Sequence, residues 1–433
     1  MNNLLNKIAD NSLTVGIVGL GYVGLPLAVS FASAGVNVIG FDKSSAKAAK
    51  INAGENYISD ISSELWQEVL TRKTLCATTD FARLSECQAI LICVPTPLDQ
   101  FHKPDMSFIE SACMAIGKNM EKGAFVCLES TTYPTTTEHF VLPILEKESG
   151  FRHGSGFWLA FSPERVDPGN KSWFTRNTPK VLGALNEEGL TIGKAIYSLA
   201  VDHIYAVSSP RVAEMVKILE NTYRLVNISL INEMALLCGK MDIDIWEVIE
   251  AAKTKPYGFQ SFYPGPGIGG HCIPLDPFYL EYIAKKFNFD LSMINTAGHI
   301  NMMMPHRMTL KISSALNRNK KSINGSNILF LGVAYKPDID DERESPALKI
   351  MDEVAKKGGI IQYHDPYIPT VQTHGRASLQ SIDLSPEALQ EADCVVITTN
   401  HSCFDIPWIL GNAQLVVDLR NAVKEISGKV YKL

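Results

Sequence analysis

The fold of the N-terminal part of the chain can be predicted from the stretch TVGIVGLGYVGLP, residues 14–26. Its first six residues, almost all apolar or glycine, do not alternate with polar ones, which predicts a strand buried on both faces, as in a parallel sheet. Gly19, Gly21 and Gly24 follow with the spacing G-x-G-x-x-G. After a strand and before a helix, this spacing lets a dinucleotide pyrophosphate approach the backbone and the helix N-terminus. We therefore predict a dinucleotide site, the alternative being a purely structural βαβ turn.

An acidic residue ends the second predicted strand. Asp42 closes the run VNVIGFD (36–42), eighteen residues after Gly24. A carboxylate at this place bonds the adenine-ribose hydroxyls and repels a 2′-phosphate, which favours NAD over NADP. Lys43, next in the chain, weakens that preference slightly.

Three further strand ends carry polar side chains. The runs AILICVP (89–95), AFVCLES (124–130) and WLAFSP (158–163) alternate with helical segments, which indicates a doubly wound α/β domain. Ligands bind outside the carboxyl ends of the strands in such sheets. Thr96 and Thr131 are therefore candidates to face the cofactor, although each hydroxyl also suits an ordinary turn. Glu164 brings a carboxylate to the same crevice.

The pattern changes to a long helix near residue 208. Residues 210–241 have helical spacing, with apolar residues expected to form one stripe: Val212, Met215, Ile218, Leu219, Leu225 and Ile228. A helix of this length spans between domains or packs on a second subunit, so we expect a homodimer. The alternative is a solvent-spanning helix in a monomer. Buried strands resume at NILFLGVAY (327–335), GIIQYHD (359–365), CVVITTN (394–400) and QLVVDLRN (414–421).

The expected fold class is therefore α/β. Two doubly wound, Rossmann-like parallel-sheet domains are joined by a helical middle domain with a long central helix. The expected boundaries are 1–207 for the NAD-binding domain, 208–310 for the helical central and dimerisation domain, and 311–433 for the second Rossmann-like domain.

Composition narrows the class of protein. The chain has 433 residues and a net charge of −6, which argues against a nucleic-acid-binding surface. Its nine cysteines include no C-x-x-C pair, so we expect a reduced, cytoplasmic protein with no disulfide framework and no metal site. The uncharged segment 13–41 contains six glycines, which favours a strand, a turn and a buried helix over a membrane span. The expected partner is a small molecule, not nucleic acid or membrane.

One cysteine differs from the others. Cys272 lies in YPGPGIGGHCIPLDP (263–277), where four prolines and four glycines exclude a regular helix. A thiol in such a loop becomes a nucleophile when a nearby cation lowers its pKa from about 8.5. Lys217 on the long helix is a candidate cation and Asp276 a candidate base. His271 is a weaker candidate, because neighbouring side chains in an extended loop point apart.

Eight motifs together carry a family resemblance: GLGYVGLP (19–26), VPTP (94–97), EST (129–131), SPER (162–165), AEMVKILENTYR (213–224), GPGIGGHCIPLDP (265–277), AYKPDIDDERES (334–345) and VDLRN (417–421). In these motifs, over nearly its whole length, the chain resembles the nucleotide-sugar 6-dehydrogenases, the family of UDP-glucose and UDP-N-acetylhexosamine dehydrogenases. The resemblance implies an NAD-dependent, four-electron oxidation of a sugar C6 hydroxyl to a uronic acid for surface polysaccharide such as capsule or O-antigen. It also implies that the domain over 311–433 binds the UDP-sugar.

The resemblance implies six catalytic residues: Cys272 as covalent nucleophile, Lys217 and Asn221 as stabilisers of oxyanions, Asp276 in proton transfer, Glu164 as the base for thioester hydrolysis and Thr131 as the residue that positions a water. The expected cofactor contacts are Gly19, Gly21, Tyr22, Val23, Gly24, Asp42, Lys43, Thr96, Thr131 and Arg343. The expected substrate contacts are Glu164, Arg165, Val166, Lys217, Asn221, Phe262, Tyr263, Gly269, Lys336 and Arg420, the last towards the nucleotide half. These residue types suit the chemistry, because an aldehyde gives up a hydride readily only after a nucleophile has added to it.

Several alternatives stay open at the level of sequence. The loop before Cys272 is most similar to the N-acetylhexosamine branch, which favours UDP-N-acetyl-D-glucosamine, with UDP-N-acetyl-D-mannosamine and UDP-glucose as rivals. Pocket shape decides between epimers, and one sequence does not give it. A non-catalytic NAD-binding protein and a two-electron hydroxyacid dehydrogenase with an unused cysteine are the other classes.

Overall fold

The computed structural model describes residues 2–58, 60–99, 103–167, 169–170, 172–270, 273, 276–372, 378–424 and 427–433. The chain forms two compact units. The first comprises Met1–Glu220 and Phe278–Asp290, and the second comprises Asn221–Pro277 and Leu291–Leu433. The predicted division into 1–207, 208–310 and 311–433 rests on the sequence pattern and stays a prediction.

The helices in chain order are α1 (Asn2–Ala9), α2 (Gly24–Ser33), α3 (Ser45–Asn52), α4 (Ser63–Arg72), α5 (Ser107–Asn119), α6 (Leu142–Ser149), α7 (Glu187–Tyr197), α8 (Pro210–Lys240), α9 (Ile245–Lys253), α10 (Asp276–Lys286), α11 (Ser292–Arg318), α12 (Pro346–Lys356), α13 (Pro386–Glu391) and α14 (Ile406–Asn412). A 3₁₀ turn covers Phe81–Glu86 and a π turn covers Thr137–Val141. None of the helices in the described ranges has the length and apolar character needed to cross a membrane.

The first unit is built on an eight-stranded sheet. Its strands are β1 (Thr14–Val18), β2 (Asn37–Phe41), β3 (Leu75–Thr78), β4 (Ala89–Ile92), β5 (Ala124–Leu128), β6 (Phe157–Phe161), β7 (Lys180–Ala184) and β8 (Ile204–Val207). Their order is β3-β2-β1-β4-β5-β6-β7-β8, so the order reverses between β1 and β4. The ligand crevice of a doubly wound sheet lies at such a switch point.

The predicted α/β class is confirmed, with one difference in the first sheet. Strand β7 runs antiparallel to β6, whereas every other neighbouring pair in this sheet is parallel. Strands β3, β7 and β8 were not predicted. Strand β7 begins with Lys180, and β8 is partly exposed at the edge of the sheet, so neither forms a continuous run of buried apolar residues.

The two faces of the first sheet are both covered, as the apolar runs predict. Val15 and Ile17 of β1 face one core, which includes the helix α2. Val18 and the neighbouring Ile92 of β4 face a second core on the other side. Buried apolar surface on both faces holds the carboxyl ends of β1 and β4 in a fixed frame.

The second unit contains a smaller, wholly parallel sheet. Its strands are β9 (Asn327–Leu331), β10 (Ile360–His364), β13 (Cys394–Ile397), β14 (Val416–Asp418) and β15 (Val430–Lys432), in the order β10-β9-β13-β14-β15. Two short strands, β11 (Thr370–Val371) and β12 (Leu379–Gln380), pair antiparallel beside it. The strand order again reverses, here between β9 and β13, so this unit repeats the crevice-forming topology of the first.

The long helix α8 is present as predicted, but its apolar residues do not form one stripe. Ile218 and Leu225 are buried, at 0% and 2% exposure. Val212, Met215 and Leu219 are 39%, 43% and 64% exposed. A period of 3.6 residues places residues 218 and 225 on one face, and residues 212, 215 and 219 on another. The expectation of a single stripe was therefore wrong.

Candidate active site

The glycine motif of the first unit leaves room for a ligand. Gly19 adopts a φ of +98°, and a Cβ there would lie 2.5 Å from the Cys93 carbonyl oxygen. A Cβ on Gly24 would lie 1.8 Å from the Gly19 carbonyl oxygen, whereas a Cβ on Gly21 would meet no atom of the described residues within 4 Å. Gly19 and Gly24 are thus required by the turn itself, while Gly21 faces open space beside the start of α2. This geometry fits a dinucleotide whose pyrophosphate lies against the backbone.

We expect the two glycines to respond differently to alanine. Gly24→Ala forces backbone atoms apart and lowers the free energy of unfolding by about 1–3 kcal/mol. Gly21→Ala leaves that free energy within about 0.5 kcal/mol of the wild type, yet weakens NAD binding by about tenfold or more. Urea unfolding and NAD titration check both variants. Unchanged NAD affinity in Gly21→Ala would show that the open space is not the pyrophosphate site.

Asp42 orients the turn that Gly19 opens. Its Oδ2 accepts a hydrogen bond from the Leu20 backbone N–H at 3.0 Å and lies 3.3 Å from Lys47 Nζ. Its Oδ1 accepts from the Ser44 N–H at 2.9 Å. The predicted ribose contact stays a prediction.

Two side chains beside the turn are held by neighbours. The Tyr57 hydroxyl donates to the Leu20 carbonyl at 2.7 Å, and burial, aided by the Asp42 charge, raises the pKa of Tyr57. Sequence reasoning did not identify Tyr57. Lys43 Nζ donates to Ser111 Oγ at 3.0 Å. Val23 and the exposed Tyr22 lie at the start of α2.

A buried group of charges lies where β5 and β6 end and β7 begins. Lys180 Nζ lies 2.6 Å from Glu129 Oε2 and 4.0 Å from Glu164 Oε2. The Tyr197 hydroxyl donates to Glu129 Oε1. Burial raises the pKa of Glu129, although Lys180 opposes the shift. Burial also opposes the charge of Lys180, but Glu129 and Glu164 outweigh it, so the pKa of Lys180 is raised.

The SPER turn is held by its own backbone and by α8. Glu164 Oε1 accepts from the N–H groups of Arg165 and Val166, both at 2.8 Å. The Arg165 guanidinium donates to Glu220 Oε1 at 2.6 Å and to the Pro179 carbonyl at 2.7 Å. The structure thus brings the predicted base Glu164 next to Lys180, and it directs Arg165 to Glu220.

The ends of β4 and β5 are tied together beside Thr96 and Thr131. Ser130 Oγ donates to the Val94 carbonyl at 2.7 Å, which fixes the turn that carries the half-buried Thr131. Thr96 is buried, and its carbonyl accepts from the Tyr279 hydroxyl on α10. Sequence reasoning missed Tyr279, which lies seven residues after Cys272 and carries no motif signal.

A buried carboxylate links α8 to the segment after Thr131. Glu214 accepts from the N–H groups of Thr135 and Thr137 at 2.6 and 2.9 Å, and from Thr137 Oγ1 at 2.7 Å. Burial raises the pKa of Glu214 to about 7 against these donors. Lys217, half-buried, follows three residues later on the same helix.

The second unit pairs two of the predicted catalytic residues. Asn221 Nδ2 donates to Asp276 Oδ2, and the two residues are 4% and 2% exposed. Cys272 and His271 lie outside the described residues. The pairing of Asn221 with Asp276 was not predicted as a contact, although both residues were predicted as catalytic.

The loop before Cys272 is held at several backbone positions. The Gly265 N–H donates to Asn232 Oδ1 at 2.9 Å, and the Gly270 N–H donates to the Arg343 carbonyl at 3.0 Å. A Cβ on Gly269 would lie 2.7 Å from Tyr335 Cβ, so glycine is required there by close packing.

The aromatic residues that open this loop have their own contacts. Phe262 packs edge-on against Tyr223 at 5.8 Å between ring centroids. Tyr263 stacks on Trp246 and donates to Glu250 Oε1 at 2.9 Å. The predicted substrate contacts of Phe262 and Tyr263 stay predictions.

The predicted basic residues of the second unit have different surroundings. Arg343 is exposed and pairs with Asp341, Nη2 to Oδ2 at 2.6 Å. Lys336 is half-buried. Arg420 donates from Nε to the Thr398 carbonyl at 2.9 Å, at the carboxyl end of β13.

A network that sequence reasoning missed fixes the turn after β9. Asp365 Oδ2 accepts from the N–H groups of Val333 and Ala334 at 2.6 and 3.0 Å, and lies 3.1 Å from His401 Nε2. His401 Nδ1 accepts from the Asp338 N–H at 3.0 Å. Burial alone would raise the pKa of Asp365, but His401 and the backbone donors hold it below its ordinary value.

We expect Asp365→Asn to lower the free energy of unfolding by about 2–4 kcal/mol at pH 7, because buried donors lose a charged acceptor. A carboxyl with a lowered pKa stabilises the folded state above its unfolded pKa of about 3.9 and loses that effect as the pH falls. The difference between variant and wild type therefore narrows below about pH 4. Urea unfolding across this range measures it. Asp405→Asn, at the exposed N-cap of α14, is the control and should change little. A constant difference down to pH 3 would refute the charge argument.

Three parts of the chain match the domains of one known protein family. Residues 13–201, 211–303 and 329–425 match the NAD binding, central and UDP binding domains of the UDP-glucose/GDP-mannose dehydrogenase family. The chain belongs to this family. Its first domain type binds NAD, so the cofactor is NAD and the enzyme class is oxidoreductase. The open space at Gly21 agrees with that cofactor.

Individual members of the UDP-glucose/GDP-mannose dehydrogenase family are similar along most of the chain. A UDP-N-acetyl-D-mannosamine dehydrogenase from Pyrococcus horikoshii is 35% identical, covering 95% of this chain and 96% of that protein. A UDP-N-acetyl-D-glucosamine 6-dehydrogenase from Pseudomonas aeruginosa is 34% identical, covering 82% of this chain and 83% of that protein. The solved structure of a UDP-D-ManNAc dehydrogenase from Pyrococcus horikoshii has a TM-score of 0.88 at 33% identity, covering 97% and 99%.

Proposed function

We propose that this chain oxidises the C6 hydroxyl of a UDP-N-acetylhexosamine to the carboxylate, as a precursor of surface polysaccharide. The observation that supports the proposal is the buried Asn221–Asp276 pair, since Asp276 lies four residues after Cys272 in the same glycine- and proline-rich stretch. An alcohol-to-acid oxidation needs a nucleophile, a proton acceptor and a donor to the oxygen, and this segment of the second unit carries all three residue types.

The proposed chemistry divides among the side chains as follows. NAD, when bound, accepts a hydride in each of the two oxidations. Asp276 takes the hydroxyl proton, and Lys217 with Asn221 stabilises the charge on the C6 oxygen, a contribution of roughly 3–4 kcal/mol per donor in comparable sites. The Cys272 thiolate adds to the aldehyde carbon, and loss of the second hydride leaves a thioester.

Hydrolysis then releases the acid. Glu164 removes a proton from a water positioned by Thr131, and the water oxygen bonds to the thioester carbonyl carbon. The C–S bond breaks, and the sulfur leaves as the thiolate that begins the next turnover. The Glu164 carboxylate is held in place, because two backbone N–H groups donate to Oε1 while Oε2 lies 4.0 Å from Lys180 Nζ.

The primary candidate substrate is UDP-N-acetyl-D-glucosamine, on the similarity of the loop before Cys272. UDP-N-acetyl-D-mannosamine is the second candidate, because a relative with that name is 35% identical to this chain. These sugars differ only in the configuration at C2, so they share every proposed catalytic residue and differ in pocket fit.

A panel of UDP-sugars tests the proposal. We expect two NADH per UDP-N-acetylhexosamine consumed, with product mass increased by the exchange of two hydrogens for one oxygen. UDP-N-acetyl-D-glucosamine, UDP-N-acetyl-D-mannosamine and UDP-glucose are compared by kcat/KM. One NADH per sugar would indicate simple oxidation of the alcohol, and no NADH would indicate a binding protein without this activity. A higher kcat/KM for UDP-glucose than for either UDP-N-acetylhexosamine would overturn the substrate proposal.

We also propose that the chain forms a homodimer along α8. In the second unit this helix exposes four large apolar side chains, and Met241 directly after its end is a fifth, at intervals of three, four or seven residues: Tyr223, Leu230, Met234, Leu237 and Met241. This spacing forms a stripe suited to pairing with an identical helix. Exposed apolar stripes of this length are unusual on a monomer.

Charge placed in this stripe should separate the subunits. We expect the double variant Leu230→Glu, Leu237→Glu to elute as a single chain of 47.7 kDa, and the wild type at twice that mass. Light scattering after size exclusion measures both. Ile360→Glu, which is 54% exposed at the edge strand β10, is the control and should remain dimeric. A monomeric wild type, or a dimeric double variant, would refute pairing along α8.

A further inference from the structure

The Arg420 guanidinium is a positively charged group with few hydrogen-bond acceptors around it among the described residues. Within the described residues, the one hydrogen bond of its guanidinium runs from Nε to the Thr398 carbonyl. Burial lowers its pKa to about 10, and no carboxylate of the described ranges offsets that shift. A guanidinium has five N–H donors, so Nη1 and Nη2 retain capacity for an acceptor.

A second buried hydrogen-bond donor without an acceptor in the described ranges, Asn232 Nδ2, lies close to Arg420. Asn232 on α8 is 0% exposed, and its Oδ1 accepts from the Gly265 N–H at 2.9 Å. Its Nδ2 has no hydrogen-bond partner in the described part of the chain. Buried side-chain amides are almost always paired, so an orphaned Nδ2 indicates an acceptor that arrives with a ligand.

Gly265 brings the two donors to one place. Gly265 is buried and donates its N–H to Asn232. The Arg420 guanidinium occupies the space that a side chain on Gly265 would need. A Cβ on Gly265 would lie 2.6 Å from Arg420 Nη1. Asn232, Gly265 and Arg420 all belong to the second unit. Together they form a corner that offers N–H donors and one positive charge.

We infer that Asn232 is a substrate-binding residue whose Nδ2 donates, together with Arg420, to an oxygen of the diphosphate of a UDP-sugar. The inference rests on the proposed function and adds a residue to its binding site. A phosphate oxygen fits because it is anionic and accepts several hydrogen bonds at once. The Oδ1 bond to Gly265 fixes the amide, so Asn232 presents its donor without a loss of side-chain freedom on binding.

Asn232→Asp tests this with minimal change in shape. The aspartate keeps an acceptor for the Gly265 N–H, but replaces Nδ2 with an anionic oxygen that pairs with Arg420 and repels phosphate. We expect the Kd of UDP to rise at least about 30-fold by calorimetry, while the Kd of NAD changes less than twofold. Uridine, which lacks phosphate, should bind wild type and variant within about threefold. Asn412→Asp is the matched control, since Asn412 Nδ2 donates to the Trp408 carbonyl at 2.9 Å on α14.

The outcomes separate the inference from the proposed function. UDP binding to Asn232→Asp at wild-type affinity would overturn the inference, as would an equal loss for uridine or for Asn412→Asp. If Asn232→Asp does not fold, Asn232→Ala is measured instead, with an expected tenfold loss for UDP and none for NAD. Unchanged UDP affinity there would also overturn it. A wild type that binds no UDP-sugar would refute the proposed function itself, whereas normal turnover with an unaffected Asn232→Asp would refute the inference alone.

Discussion

Cys272→Ser should abolish uronic acid formation, with a loss of at least about 1,000-fold in the rate of acid release. A serine hydroxyl is far less acidic than a thiol with a pKa of about 8.5, so no nucleophile of comparable strength adds to the aldehyde. Without that adduct the second hydride does not leave. The variant should therefore yield at most one NADH per sugar, where the wild type yields two. Product mass and NADH absorbance measured on the same reaction give both quantities.

The control for this variant is Cys403→Ser. Cys403 is exposed in the second unit, and its replacement should leave rate and stoichiometry unchanged. Calorimetric titration with UDP and NAD should show that Cys272→Ser still binds both ligands. Normal acid production by Cys272→Ser would rule out the covalent route through this thiol. One NADH per sugar in the wild type as well would instead support the two-electron hydroxyacid-dehydrogenase alternative.

Lys180→Met should destabilise the first unit by about 3–5 kcal/mol, the usual loss when one partner of a buried ion pair is removed. The variant leaves the Glu129 carboxylate, at 1% exposure, with the Tyr197 hydroxyl as the side-chain donor that remains among the described residues. The pKa of Glu129 is already raised by burial, and losing Lys180 raises it further. A carboxyl with a raised pKa costs stability as the pH rises above its unfolded pKa of about 4.3. The destabilisation should therefore be larger at pH 8 than at pH 5.

Two variants separate charge from packing in this cluster. Lys180→Met combined with Glu129→Gln should recover most of the loss, because no buried charge remains unpaired. Arg72→Met removes a partner from the exposed Arg72–Glu68 pair and should cost less than about 0.5 kcal/mol. Guanidinium unfolding followed by tryptophan fluorescence measures all of them. If Lys180→Met unfolded at the wild-type denaturant concentration, the Lys180–Glu129 pair would carry no net stability.

The fold was largely predictable from local sequence. Continuous apolar runs located β1, β2, β4, β5 and β6 in the first unit, and the positions of the glycines and Asp42 located the dinucleotide turn. Continuous apolar runs did not identify strands that are short or that contain a charged residue. Strand β7 begins with Lys180, whose burial depends on Glu129, fifty-one positions earlier in the chain. No local pattern indicates that partnership.

Site residues were predictable as identities but not as contacts. The motifs identified Asn221, Asp276, Glu164 and Arg420 as separate candidates. Their hydrogen-bond partners depend on residues distant in the chain, such as Asn221 with Asp276 across fifty-five positions. The Asp365–His401 network gave no sequence signal, because each residue alone is typical of a strand end or a loop.

The α/β class, the glycine turn, the long helix and the family follow from residue spacings within a few turns or strands, so they can be read from the amino-acid sequence. The burial of particular charges, the exposed face of α8 and the donors without acceptors in the described ranges depend instead on the packing of the folded chain. Those properties arise when segments far apart in the chain exclude water from one another, and the free energy of a polar group then depends on its neighbours in space. Neighbours distant in the chain make Lys180 a buried ion-pair partner, leave a buried Asn232 donor without an acceptor in the described ranges, and make His401 a buried partner of Asp365.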